Sequence, residues 1–208
     1  EQMLRSGVIL GTAGGGLHTQ DESYRTVYEE GKNRVHPFVV PRLMNNAAAS
    51  HVSMTYNLQG PSYTVATACA SSNHAMGQAF NFIRSGMAEV IGFAMTSDAG
   101  DIVMPSKQNA ARTMRLAMQD ARINPEDIGY INAHGTGTAA NDKTECAAVA
   151  DAFGHHANDL MISSTKSMHG HLIGGTGAVE LLACTMALKD GVIAPTIGYE
   201  EPDPECAL

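Results

Sequence analysis

The apolar positions of this chain form short runs separated by longer segments with helical periodicity. The short runs predict buried strands, because they are brief, rich in β-branched or aromatic residues and followed by turn residues. These strands are predicted at Gly7 to Leu10, Tyr63 to Ala66, Glu89 to Ile91, Tyr130 to Ala133 and Leu160 to Ser163. Helices are predicted at Ser23 to Glu30, Arg42 to Tyr56, after Cys69 up to Gly86, Ser106 to Arg122, Ala178 to Lys189, and before Gly154, where Asp142 and Glu145 form a D-x-x-E capping signature. Strands that alternate with helices indicate an α/β fold with a largely parallel sheet.

Two of these regions echo each other. In each, a β-prone run enters a loop of small residues with a reactive side chain, and a buried helix follows. One loop holds Cys69 and the other holds His171. The echo agrees with two related halves, although every α/β protein repeats strand, turn and helix.

Charge and cysteine usage narrow the class of protein. The 208 residues carry 13 basic and 21 acidic side chains, a formal charge of −8, without a cluster of Lys and Arg. This balance argues against a nucleic-acid or anionic-membrane binder. The apolar stretches are shorter than the roughly 20 residues that span a bilayer, and EQMLRSG has no signal-peptide core, so we expect a cytoplasmic protein. The four cysteines contain no CxxC pair, which favours reduced thiols over a disulfide framework or a zinc–thiolate site.

Cys69 is a candidate nucleophile because it lies between a predicted strand and a predicted helix, with Ala68 before it and Ala70, Ser71 and Ser72 after it. The positive end of a helix dipole favours a thiolate, and small neighbours leave room for a substrate. Most free cysteines are buried structural residues, and that interpretation suits Cys146 and Cys184 in the middle of predicted helices.

Two histidines and a lysine follow predicted strands. His134 lies in NAHGTGT, where Thr136 and Thr138 offer hydroxyls to a polar chain, and His171 lies in KSMHGH. A lone loop histidine is usually structural, but two at the carboxyl ends of strands favour a site, because parallel sheets bind ligands at that edge. Lys166 has few charged neighbours, which fits a partly buried positive charge, although a single lysine is more often solvated.

Two other kinds of site are weaker alternatives. A metal site built from His155, His156, His169 and His171 lacks a carboxylate or thiolate at matching spacing. The loop GTAGGG does not have the GxGxxG pattern of a dinucleotide site.

Three ordered blocks carry a family resemblance: TACASS around Cys69, NAHGTGT around His134, and SSTKSMHGHLIGGTGAVE with Lys166, His171 and Glu180. Together they resemble the signature blocks of β-ketoacyl-[acyl carrier protein] synthases of the I/II type. The resemblance continues in GVILGTAGGG, AARTMRLAMQDARINPEDIGYINAHGTGT and GVIAPTIGYEEPDPEC, and so covers nearly the whole chain. The histidine of GHLIGG favours the decarboxylating I/II type, and the late C-x-G motif of thiolases is not found.

The resemblance implies a thiolase-like α/β fold, layered α-β-α-β-α and built from two similar halves. Residues 1–91 would form part of the N-terminal half with the nucleophile, and residues 92–208 part of the C-terminal half with the histidines and the lysine. It also implies a homodimer, an acyl carrier protein as partner, acyl and malonyl thioesters as substrates, and no cofactor, since the substrates are carried on phosphopantetheine.

The resemblance also assigns roles within the site. Cys69 would accept the acyl group, and His134 and His171 would stabilise the enolate formed when malonyl-carrier protein loses carbon dioxide. Lys166 would act through its charge. The implied contacts of Thr136 and Thr138 are with the pantetheine arm, and Glu180 would have a supporting role.

The chain also departs from the family pattern. Sequence before RSGVILGT, a long block between Ile91 and Gly92, and a final G-F-G-G-x-N strand are missing, so two strands of different halves would be joined directly. The pathway and acyl-chain length stay open, because STKSMHGH and EEPDPEC suit nodulation-type and ordinary synthases alike. The alternative function is that of a non-catalytic chain-length partner, which normally lacks the nucleophilic cysteine.

Overall fold

The computed structural model describes residues 6–84, 95–96 and 104–206. It contains two compact units. The first takes the described residues up to 84 together with Leu172–Ala178, and the second takes the described residues from 95 to 171 together with those from Val179 onwards. The predicted strand at Glu89 to Ile91 and the predicted division between 91 and 92 lie outside the described residues and stay predictions.

The first unit is built around one pair of parallel strands. Its strands and helices are β1 (Val8–Gly11), α1 (Leu17–Tyr24, continued by a π-helical turn at Arg25–Glu29), α2 (Val39–Leu43), α3 (Ala47–Tyr56), β2 (Ser62–Val65) and α4 (Ser71–Arg84). Short 3-10 turns at Ala68–Ala70 and Ile173–Gly175 belong to the same unit. The strands pair in parallel with Ile9 opposite Tyr63. The buried apolar side chains of the unit are Ala49, Val65, Ala75 and Phe80.

The predicted helix from Arg42 to Tyr56 is wrong in its continuity. Met44 has an extended backbone that ends α2, and α3 starts three residues later. The loop GTAGGG packs here, since a Cβ added to Gly15 would lie 2.9 Å from the Cα of Asn45. Small residues therefore allow two backbones to approach closely at this break.

The first helix also begins earlier than predicted. It starts at Leu17 rather than near Ser23, because Gly16 takes a left-handed φ of 64° and turns the chain into the helix.

The second unit repeats the parallel pairing. Its elements are α5 (Lys107–Ala121), β3 (Tyr130–Asn132), α6 (Ala139–Phe153), β4 (Met161–Ser163), α7 (Lys166–His169) and most of α8 (Thr176–Asp190), with 3-10 turns at Pro125–Asp127, Gly154–Asp159 and Pro204–Cys206. Strands β3 and β4 are parallel, with Ile131 opposite Ile162. The core is formed by Ala111, Met118, Ala148, Val149, Ala152, Phe153 and Ala157. The strand–helix alternation and the parallel pairing predicted from the sequence are confirmed in both units.

No helix among the described residues combines the length and the apolar character needed to cross a bilayer.

Candidate active site

Cys69 lies in the 3-10 turn that joins β2 to α4 in the first unit. Ala68 takes a left-handed φ of 46°, which is uncommon for a residue with a Cβ. Ser71 fixes this turn, because its fully buried hydroxyl accepts the backbone N–H of Thr67 at 2.8 Å and lies 2.7 Å from the carbonyl oxygen of Ala68. The sequence thus places the thiol directly before the first turn of a 14-residue helix, as predicted.

The segment just after His171 packs on the same turn. The turn Ile173–Gly175 contacts Ala68–Ala70, and the Ser72 hydroxyl donates to the carbonyl oxygen of Gly174. Gly174 has no room for a side chain, since a Cβ there would lie 2.6 Å from the backbone nitrogen of Ala13. The glycines of GHLIGGTG therefore allow close packing around the Cys69 turn.

His134 follows β3 in the second unit, on a loop held by one carboxylate. The N–H groups of His134 and Gly135 donate to the two oxygens of Glu145, at 2.6 and 2.8 Å. The side-chain amide of Asn141 donates to the same carboxylate at 3.2 Å. The capping role predicted for Asp142 and Glu145 is wrong: α6 already starts at Ala139, and Glu145 satisfies two loop amides instead.

Gly135 is required by the geometry of this loop. Its φ is 39°, and a Cβ there would lie 2.8 Å from the hydroxyl oxygen of Ser164. That hydroxyl donates to the Gly135 carbonyl oxygen at 3.0 Å. The loop after β3 is therefore fastened to the end of β4 on one side and to Glu145 on the other.

Lys166 is buried, with 7% of its surface exposed, and forms an ion pair with Glu180. A buried charge requires a partner, and these two residues supply each other with one. Asn132 links this pair to the strands, because its side-chain amide donates to the Thr165 hydroxyl at 3.1 Å and to the Glu180 carbonyl at 3.5 Å. The predicted partly buried Lys166 is thus found, with Glu180 as the residue that neutralises it.

The rings of His134 and His171 lie edge to face, with centroids 5.3 Å apart and planes at 86°. Burial lowers the pKa of His134 below its usual 6.5, and the nearby Lys166 cation lowers it further. His134 is therefore neutral at pH 7 and carries one N–H that can donate a hydrogen bond.

The two threonines predicted to bind a polar chain lie together on the His134 loop. Their hydroxyl oxygens are 3.0 Å apart, with Thr138 exposed and Thr136 half-buried. One hydroxyl of such a pair can donate to a ligand while it accepts from the other.

The structure shows three anchoring residues whose roles sequence reasoning missed: Ser71, Asn132 and Glu145. Each anchors a loop with a predicted site residue. A tight loop after a strand has backbone N–H groups without partners in the sheet. Such groups require a hydrogen-bond acceptor, and this requirement could have pointed to a residue such as Glu145.

The comparisons with known proteins agree with these motifs. A model of the beta-ketoacyl synthase N-terminal domain matches residues 2–138, and one of the C-terminal domain matches residues 87–200. Nodulation protein E of Rhizobium leguminosarum bv. trifolii is 36% identical, over 98% of this chain and 68% of that protein. The 3-oxoacyl-[acyl-carrier-protein] synthase 2 of Synechocystis sp. is 31% identical, over 97% and 67%.

These alignments extend over 271 and 277 residues, although the chain has 208. The relatives therefore hold internal residues for which this chain has no counterpart, as the departure from the family pattern predicts.

Solved structures show the same fold. The structure of a type II PKS acyl-carrier protein in complex with its ketosynthase has a TM-score of 0.89 at 23% identity, covering 99% of this chain and 70% of its own. The ishigamide ketosynthase/chain length factor has a TM-score of 0.82 at 26% identity, covering 97% and 67%. The thiolase-like α/β fold expected from the resemblance is confirmed. On these matches, the chain belongs to the beta-ketoacyl synthase family.

Proposed function

We propose that the chain is a condensing ketosynthase, which joins an acyl group to a malonyl unit and forms a 3-oxoacyl thioester two carbons longer. The observation that carries the proposal is the thiol of Cys69 on the strand-to-helix turn, in a chain of the ketosynthase family. The turn consists of Ala68, Cys69 and Ala70, so the sulfur of Cys69 is the reactive side-chain group that it presents.

In the first step, the Cys69 sulfur attacks the carbonyl carbon of an acyl thioester. The pantetheine thiolate leaves and takes up a proton, so an acyl group is exchanged between two sulfurs. The N-terminal end of α4 stabilises the negative charge that develops during this transfer, since the first N–H groups of a helix point toward that end.

In the second step, His134 and His171 donate hydrogen bonds to the carbonyl oxygen of the malonyl thioester. As the C–C bond to the carboxylate breaks, carbon dioxide leaves and its bonding electrons form an enolate. A neutral His134 suits this role, because it stabilises the oxygen without giving up a proton to it. Burial and the nearby Lys166 lower the pKa of His134, and the ion pair with Glu180 holds Lys166 in place.

In the third step, the enolate carbon attacks the acyl carbonyl on Cys69. The new C–C bond forms as the C–S bond breaks, and the Cys69 thiolate is released for another cycle. Thr136 and Thr138 hold the pantetheine arm through their hydroxyls during this step.

The partners and context are part of the same proposal. An acyl carrier protein delivers the thioesters, as the related complex of an acyl-carrier protein with its ketosynthase suggests, and the chain works as a cytoplasmic homodimer without a cofactor. The similarity to a 3-oxoacyl-[acyl-carrier-protein] synthase 2 supports a type II, fatty-acid-like reaction, and the similarity to Nodulation protein E supports a specialised pathway equally well.

Two radiolabel assays test the proposal. Acyl transfer is followed as label bound to the protein from radiolabelled acyl-carrier protein, and decarboxylation as labelled carbon dioxide released from carboxyl-labelled malonyl-carrier protein. We expect Cys69→Ala to lose acyl transfer completely and to keep decarboxylation, whereas His134→Ala loses decarboxylation by at least about a hundredfold. Cys184→Ala is the matched control and keeps both. A folded Cys69→Ala protein that still accepts label would overturn the assignment.

The non-catalytic chain-length partner is the alternative function, favoured by the likeness to a ketosynthase/chain length factor structure. The presence of Cys69 counts against it. A folded wild-type protein that accepts no acyl group, but restores product length when mixed with an active ketosynthase, would establish this alternative.

A further inference from the structure

Cys146 and Cys206 are two thiols for which the proposed condensation has no use. Cys146 lies on α6, and Cys206 ends the turn Pro204–Cys206, which packs against that helix in the second unit. The thiol of Cys206 is close enough to the thiol of Cys146 to influence its pKa. Both residues are partly exposed, so a small reagent can reach them.

The turn that carries Cys206 is fastened to α6 at a second point. Lys143 precedes Cys146 by three positions and therefore lies on the same face of the helix. Its ammonium pairs with the carboxylate of Glu205, the neighbour of Cys206. Within the turn, the N–H of Cys206 donates to the Asp203 carbonyl at 2.8 Å. Two adjacent residues of the turn thus meet two residues of one helical face.

We propose that Cys146 and Cys206 are a modification site, a dithiol that closes to an intramolecular disulfide when peroxide is present. The Cys206 sulfur attacks one oxygen of the peroxide, which forms a sulfenic acid and releases water. The Cys146 sulfur then attacks the sulfenyl sulfur, the S–S bond forms, and a second water leaves. In sum, two thiols and one hydrogen peroxide yield one disulfide and two waters.

The order of these steps follows from the environment of Cys146. Burial, together with the contact to Cys206, raises the pKa of the Cys146 thiol to about 11. Cys146 is therefore protonated at neutral pH and serves as the second, resolving thiol.

The other cysteines have different surroundings. Burial also raises the pKa of the Cys184 thiol, and the neighbouring Asn132 side chain opposes that shift. Cys69 lies in the other unit and is proposed to carry the acyl group. The disulfide does not rest on the proposed condensation, since it follows from the packing of the Pro204–Cys206 turn against α6 and from the ion pair of Lys143 with Glu205.

The disulfide would form beside the support of the histidine loop. Cys146 directly follows Glu145, whose carboxylate accepts the amides of His134 and Gly135. Closure ties this part of α6 to the turn at Pro204–Cys206. Oxidation thus gives a covalent link next to the loop without consuming any residue proposed for catalysis.

Peptide mapping tests the proposal directly, because trypsin places each cysteine in a different peptide: 43–84 for Cys69, 144–166 for Cys146, 167–189 for Cys184, and the peptide from Asp190 for Cys206. The purified protein is treated with hydrogen peroxide, alkylated with iodoacetamide and digested without reductant. We expect one cross-linked pair, 144–166 with the peptide from Asp190, that disappears after dithiothreitol.

Variants provide the controls. Cys146→Ser and Cys206→Ser should each abolish the cross-link, and Cys184→Ser should leave it unchanged. Circular dichroism checks that the variants fold. If a variant does not fold, the peptide map of the wild-type protein decides the question. The proposal would be overturned if Cys146 and Cys206 were both still free to react with iodoacetamide in protein whose Cys69 or Cys184 is already oxidised. Irreversible oxidation of Cys206 without a cross-link would also overturn it.

Discussion

The turn that carries Cys69 and the loop that carries His134 follow parallel strands in similar ways, but they are held differently. Around Cys69, the fastening groups are neutral hydroxyls and backbone atoms, chiefly Ser71 and Ser72. Around His134, they include a carboxylate, Glu145, and a buried ion pair, Lys166 with Glu180. One reactive residue depends on close packing, and the other depends on charge.

This difference matches the chemistry proposed for each residue. A nucleophile must reach a carbonyl carbon, so the shape of its turn decides its position. A histidine that donates a hydrogen bond must keep one protonation state, so the surrounding charges decide whether it can act. The two regions should therefore respond to different substitutions. The largest loss of stability is expected where a substitution leaves a buried charge without its partner.

The largest effect is expected for Lys166→Met. The substitution leaves the largely buried Glu180 carboxylate without its partner, which should lower the free energy of unfolding by about 3–5 kcal/mol. Urea denaturation at pH 7 measures this loss. The double variant Lys166→Met with Glu180→Leu is the control and should recover much of the stability, because no unpaired charge remains. Equal losses in the single and double variants would contradict the role assigned to the ion pair.

Ser71→Ala should have the next largest effect and act on the other region. It removes the buried acceptor of the Thr67 N–H, which should lower the free energy of unfolding by about 1–3 kcal/mol. The acyl-transfer rate should also fall, because the left-handed Ala68 loses its support. Urea denaturation at pH 6 and pH 8 should give the same loss. A strong pH dependence would show that charge also matters at this turn.

The pH dependence of the second region should come from His134. Its pKa in the folded chain lies below the usual 6.5, so the unfolded chain takes up a proton first as the pH falls. The stability from this group is therefore complete above pH 6.5 and is lost as the pH falls from 6.5 toward the folded-state pKa. Urea denaturation across this range, with His134→Gln as control, measures the slope that the variant should lack.

Glu145→Gln should have a smaller effect, on the pKa of His134 in the second region. The carboxylate of Glu145 raises the pKa of His134, against the stronger influences of burial and Lys166. The neutral amide should therefore shift the NMR titration of the His134 ring to lower pH, whereas Lys166→Met should shift it to higher pH. Shifts of the same sign in both variants would contradict the electrostatic account.

The smallest effect is expected for Arg115→Ala, which removes an ion pair with Asp151 on the same unit. Both side chains are about two-fifths exposed, so solvent screens the pair and the loss should be below about 1 kcal/mol. Thermal denaturation in low and high salt checks this. A loss as large as that of Lys166→Met would show that burial is not what separates the two pairs.

Local signals explain which features were predictable. The change from strand to helix around Cys69 could be predicted because neighbouring residues indicate it. The parallel pairing could be predicted from the alternation of strands and helices. The anchor Glu145 lies ten and eleven positions from the amides it binds, and its spacing to Asp142 matched a local capping pattern that the structure does not use. Lys166 and Glu180 are 14 residues apart, and the family resemblance named both residues without pairing them, so their ion pair was seen only in the structure.

The helix break at Met44 shows the same limit. The segment from Arg42 to Tyr56 has the composition of one helix, and only its packing against Gly15 and Gly16 explains the interruption. Contacts between distant parts of the chain overrode a consistent local preference here.

The shared carboxylate at the histidine loop has a consequence for how the loop moves. The amide hydrogens of His134 and Gly135 are both hydrogen-bonded to Glu145, so neither can exchange with deuterium until the hydrogen bonds to that carboxylate break. The two neighbouring amides should therefore exchange together, in a single opening event. The free energy of opening this loop can thus be measured at two adjacent peptide groups with no substrate bound.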